Sequence, residues 1–174
     1  MSTVQEPTVS PDAIFQLASG FMAANMFFTA GNIGLFEALG DGALSADELS
    51  ARTSVPVRTL RVVADANVAL GMLTKRGDQY GNSPVAQTFL AGRSPADMRQ
   101  MLTFWDRMSY PSWERLADAV RQDGTNTAFF DFSPEQQAIF SSGVEAASVG
   151  GAMALASTYD FSRHHKLLDV GGGT

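Results

Sequence analysis

Between Asp12 and Glu37 the chain carries no charged residue, a run long enough for a buried helix pair or a membrane span. Its polar content decides between them. Gln16, Ser19, Asn25, Thr29 and Asn32 interrupt the run, and so do Gly20, Gly31 and Gly34. The flanks are acids instead of the lysines and arginines of a membrane interface. A buried helix is the expectation, with no membrane partner. Ile14, Leu17, Phe21, Ala24 and Phe28 recur at helical spacing, and Phe15, Ala18, Met22 and Met26 make a second stripe. A helix apolar on two faces has to be covered on both, by its own domain or by a second copy of the chain. Pro11 suits its first turn, and Gly31 and Gly34 are predicted to end it before a short helix over residues 35–39.

Downstream, Ser45-Ala-Asp-Glu48 reads as a capping box opening a helix through Thr53. Pro56 starts a second helix bearing Leu60, Val63, Ala64, Val68 and Leu70, with Gly71 as its C-terminal stop. Residues 72–74 and 79–81, joined by Lys75-Arg76-Gly77-Asp78, read as a hairpin. Helix, turn, helix, hairpin is the winged-helix order. Ser83-Pro84, Ser94-Pro95 and Ser133-Pro134 each predict an N-cap with proline following, and Pro111 predicts a helix through Trp113, Leu116, Ala117 and Val120. The helix from Pro134 to about Tyr159 is lined with small residues, among them Gly143, Ala146, Ala147, Gly150 and Gly151, which allow another backbone close. Lys166–Val170 then reads as a short apolar strand running into Gly171-Gly172-Gly173.

A formal net charge of −6 disfavours a phosphate backbone as partner. With no cysteine and only the adjacent His164 and His165, thiolate and helical zinc sites are excluded, and no metal is expected. The first residues lack a basic and apolar leader, which makes a cytoplasmic location the expectation. The helix from Pro56 offers a DNA reader only Arg58 and Arg61, opposed by Asp65, so a structural winged helix is the favoured reading. His164 and His165 sit in a polar turn with no carboxylate placed to orient them, which predicts a solvated turn instead of a general base.

A strand delivered into glycines is how doubly wound domains bring backbone close to a nucleotide-like ligand. The succession of long apolar helix, winged-helix pattern, FWDRMSYPSWERL, DFSPEQQAIFSSGVEA and YDFSRHHKLLDVGGGT closely resembles the N-terminal half of the bacterial and plant-type O-methyltransferases dependent on S-adenosylmethionine, over residues 12–174. The resemblance implies a mainly α fold: a helical dimerisation domain with an embedded winged helix, then the first β-strand of a class I, Rossmann-like methyltransferase domain. It implies a flexible tail over 1–10, the dimerisation domain over 11–125, connecting helices over 126–165 and the start of the cofactor-binding domain over 166–174. Asp169, Gly171 and Gly173 match the motif that contacts the methionine portion of S-adenosylmethionine in relatives.

The resemblance further implies a homodimer acting on a hydroxyl of an aromatic natural product. Phe104, Trp105, Met108, Tyr110, Trp113 and Met153 are the expected acceptor wall. For the aromatic cluster among them, core and cleft both stay open as readings. The ribose-holding acid and the catalytic histidine of relatives fall after Thr174, so no catalytic residue is assigned in this chain and none of the chemistry is expected from it alone. The rival readings are a winged-helix transcriptional regulator and a non-methylating scaffold of the same fold.

Overall fold

The uncharged run forms α1 (Asp12–Asn32), and the chain turns at Gly34, whose φ of 69° suits glycine, into α2 (Leu35–Ala38). Gly31 does not break the helix as predicted. It stays helical because its missing side chain makes room for Leu102, which packs against it. A computed structural model of the chain describes residues 9–122, 124 and 131–172.

After α2 come β1 (Leu44–Ser45), α3 (Ala46–Thr53), α4 (Val57–Ala69), β2 (Leu73–Arg76), β3 (Gln79–Asn82) and α5 (Pro84–Phe89). Both halves of the Ser45–Glu48 capping box form: Ser45 Oγ accepts from the Glu48 amide, and Glu48 Oε2 accepts from the Ser45 amide at 2.7 Å. Pro56 precedes α4 and Gly71 ends it at φ 75°, as the pattern required. The hairpin turn is tighter than predicted, with Arg76 paired to Gln79 across Gly77 and Asp78. A third strand, β1, pairs antiparallel with β3, giving the order β1-β3-β2.

The core lies where α1, α2, α3, α4 and the hairpin meet. Phe36, Leu39, Leu49, Leu60, Leu73 and Tyr80 fill it, with Leu102 and Tyr110 joining from the next segment. Asn67 is fully buried among these residues. Its amide donates to the carbonyls of Met26 on α1 (3.1 Å) and Val63 on α4 (2.9 Å), locking two helices at one point.

The second half comprises α6 (Arg99–Phe104), a π-helical turn (Trp105–Ser109), α7 (Tyr110–Trp113), α8 (Leu116–Arg121), α9 (Pro134–Thr158) and a 3₁₀ turn (Phe161–Arg163). Ser133 caps α9 as its sequence predicted, and Gln136 completes a capping box with it. Three expectations are corrected. Ser94-Pro95 opens a turn and not a helix: the Ser94 hydroxyl accepts from Ala96, and α6 begins only after Met98. Pro111 does not start a helix but lies inside one that arrives through the π turn. Residues 166–170 form no strand, and no strand among the described residues lies beside them to share a ladder. Leu167 and Leu168 are each 85% exposed there.

Candidate functional site

Proline 111 shapes the local geometry. It has no N–H to return to the helix, and the chain before it widens so that the Tyr110 amide bonds the Trp105 carbonyl five residues back. The wider turn moves the later side chains off the 100° spacing. Phe104, Ser109, Ser112 and Trp113 thereby come to share one side with Arg115, Leu116 and Ala119, around a cleft of about 390 Å³. Ser112 Oγ donates to the Met108 carbonyl at 2.7 Å. Phe104 meets Phe140 of α9 edge-on at 5.9 Å, and Gly143 lets α9 lie directly on the Phe104 side chain.

Two asparagines of the uncharged run hold this segment. Asn25 donates to the Tyr110 hydroxyl at 2.9 Å, and Asn32 donates to Asp106 at 2.8 Å. Tyr110 also sets its ring edge-on to Phe28 at 6.0 Å. The six predicted acceptor-wall residues are therefore divided. Phe104 and Trp113 line the cleft, while Met108 and Tyr110 pack inward. Trp105 is 39% exposed outside the cleft lining, and Met153 is exposed on α9. Ser109, Ser112, Arg115, Leu116 and Ala119 were not among the expected wall residues, which were aromatic residues and methionines.

Asp169 and Gly171 lie in the exposed segment after the 3₁₀ turn, and Gly173 lies outside the described residues. Gly171 has φ 76°, and no side chain or backbone crowds the place a Cβ would take. The Asp169 carboxylate folds back over Gly172, so a side chain there would require it to turn aside. His164 stacks on Tyr159, its Nε2 2.7 Å from the phenol oxygen, within an exposed turn.

Charge is concentrated in two built clusters. Arg99 holds Asp97 through both carboxylate oxygens (2.6–3.0 Å) and reaches Glu37 at 3.1 Å, lying over Gly92. Burial pushes the Asp97 carboxyl up, but the hydrogen bonds from Arg99 outweigh it and leave it below its ordinary range. On the hairpin, Lys75 Nζ and the buried Tyr80 hydroxyl both donate to Asp65, at 2.7 and 2.8 Å. These bonds hold the Asp65 carboxyl below its usual value, the one from Lys75 first. A lowered carboxyl stabilises the fold above its unfolded pKa and loses that contribution as pH falls through the folded one. Asp65→Asn is therefore expected to flatten the dependence of stability on pH between about pH 2 and 5, read by urea unfolding. An unchanged slope would show that the cluster contributes no linkage.

Two helices with a hairpin, a small-residue helix and an α1 with exposed apolar residues suit a helical dimerisation domain. Residues 15–92 match the family model of the O-methyltransferase dimerisation domain. The chain is 32% identical to acetylserotonin O-methyltransferase of Mus musculus molossinus, over 93% of this chain and 46% of that protein. It is 31% identical to the tetracenomycin polyketide synthesis 8-O-methyl transferase TcmO of Streptomyces glaucescens, over 93% and 50%. The crystal structure of human N-acetylserotonin methyltransferase in complex with SAM shares the fold, at TM-score 0.74 and 22% identity, over 93% and 52%. The chain is thus similar to the N-terminal part of these O-methyltransferases, and spans about half the length of the curated relatives it matches.

Proposed function

We propose that this chain supplies the dimer interface and part of the acceptor wall of an S-adenosylmethionine-dependent O-methyltransferase acting on a hydroxyl of an aromatic small molecule. The observation that carries the proposal is the match of residues 15–92 to a dimerisation domain, joined to the face of α1 left open by the fold. Ile14, Phe15, Leu17, Phe21 and Met22 are all exposed, whereas Phe28 and Ala30, further along the same helix, are buried. An apolar stripe of that kind is stable in water only when covered, and a two-fold axis covers it on both copies at once. By length and composition α1 and α9 would also meet the requirement for a membrane span. The engagement of Asn25 and Asn32 by Tyr110 and Asp106 favours a helix docked on protein, in a cytoplasmic enzyme with neither nucleic acid nor membrane as partner.

In this reading residues 11–125 form the dimerisation domain, 126–165 connect, and 166–174 open the cofactor domain. Asp169, Gly171 and Gly173 would face the methionine portion of the cofactor. Gly171 fits that role, because its positive φ and open Cβ position let a ligand approach the backbone. The cofactor supplies the electrophilic methyl carbon. This chain's share is to seat the acceptor ring against Phe104 and Trp113 and to keep water from it, with Trp105, Met108, Tyr110 and Met153 placed around that wall.

Light scattering at micromolar concentration is expected to give twice the 18.6 kDa chain mass. Leu17→Glu combined with Phe21→Glu is expected to give single chains with unchanged helical signal. A single-chain mass for the unaltered protein would overturn the reading.

A further inference from the structure

Resting on the reading of the cleft as an acceptor wall, we infer that it takes a flat aromatic molecule carrying an acid group, with Arg115 as the partner of that group. The cleft is apolar on most sides, with Phe104, Trp113, Leu116 and Ala119 offering ring and methyl surface. Among the described residues Arg115 is the only charged one in its lining. The neighbouring arginines are taken: Arg107 pairs with Glu135 at 3.7 Å, and Arg121 with Asp118 at 3.0 Å. Among the described residues Arg115 makes no ion pair and no side-chain hydrogen bond, although Glu114 adjoins it and Asp118 lies one helical turn on.

A guanidinium is a planar fork that meets a carboxylate through two parallel hydrogen bonds. Set at the rim of an apolar cleft, it can hold the acid group in water's reach while the ring slides between Phe104 and Trp113. The hydroxyls of Ser109 and Ser112 and the indole N–H of Trp113 are the remaining polar groups on the described lining side chains. Ser112 already donates to the Met108 carbonyl and keeps its lone pairs for a ligand hydroxyl. The site therefore distinguishes an aromatic acid from a neutral ring of the same size by one charge, and binds both through the ring.

The test is calorimetric titration of the chain with 1-naphthoate and with 1-naphthamide, isosteric rings that differ in charge. The acid is expected to bind roughly fivefold tighter at low salt, a modest ratio because Arg115 is exposed, and the gap should close as salt rises. Arg115→Gln should remove the preference, Arg115→Lys should keep part of it, and Trp113→Ala should weaken both ligands alike. Equal binding of acid and amide, or a preference that survives Arg115→Gln, overturns the assignment of Arg115 and leaves the acceptor wall standing. Binding of neither ligand to a folded dimer overturns the acceptor wall itself, and the inference with it.

Discussion

Asn67→Asp is expected to remove about 3–5 kcal/mol of stability at neutral pH, a large fraction of what a domain of this size holds. The native amide donates to the carbonyls of Met26 and Val63 from a position with no solvent exposure. A carboxylate there has no proton to give either carbonyl, and three oxygens would face one another away from water. A buried charge is costly unless it is paired with a cation and hydrogen-bonded. Burial raises the carboxyl's folded-state pKa above its unfolded value, so the variant is least impaired in acid and loses stability as pH rises through the folded pKa. That trend is opposite in sign to the contribution of Asp65. Urea unfolding at acid and neutral pH separates the two, with Asn67→Ala expected to cost about 1–3 kcal/mol at every pH. A variant within about 1 kcal/mol of the native protein at neutral pH would show that α1 and α4 are not joined through this amide.

What the sequence announced correctly was local chemistry. The capping box at Ser45, the N-cap at Ser133, and Pro56 and Gly71 at the ends of α4, act over three or four residues and need no tertiary partner. What it misplaced depends on neighbours distant in sequence. Gly31 reads as a breaker until Leu102, far along the chain, is seen to need its space. The two residues of β1 carry no alternation and exist as a strand only because β3 is beside them. The same dependence works in reverse at Lys166–Val170, where a strand-like composition has no ladder to join.

The cleft was half legible for a related reason. Phe104 and Trp113 stood out as aromatic residues, and the resemblance grouped them with Trp105, Met108 and Tyr110. The π turn before Pro111 changes the phase, turning Met108 and Tyr110 inward and leaving Trp105 on another face. No periodicity reports such a turn in advance; the only local signal was a proline inside an otherwise helical pattern. The asparagines that tie the segment to α1 were visible too, but as interruptions of an apolar run and not as ties.

Two phenylalanines test the division of the N-terminal helices into core and open face. Phe36 has no exposed surface, sets its ring edge-on to Phe27 at 5.9 Å, and its carbonyl accepts from Asn82 of the hairpin. It therefore joins α1, α2 and β3. Phe36→Ala is expected to cost about 3–5 kcal/mol, the lost transfer energy of the ring plus the cavity that α2 cannot close while Leu35 and Leu39 hold it on either side. Phe21, half exposed on α1, has no such neighbours to abandon. Phe21→Ala should leave the fold's own stability within about 0.5 kcal/mol and act on association instead, lowering the concentration-dependent part of the melting temperature. Thermal unfolding across a hundredfold range of protein concentration reads both effects. The Phe36 variant should melt lower at every concentration, and the Phe21 variant should lose the upward shift that the native chain gains on concentration. If the two substitutions cost the same at high dilution, Phe21 belongs to the core, and α1 does not present the uncovered face on which the dimer rests.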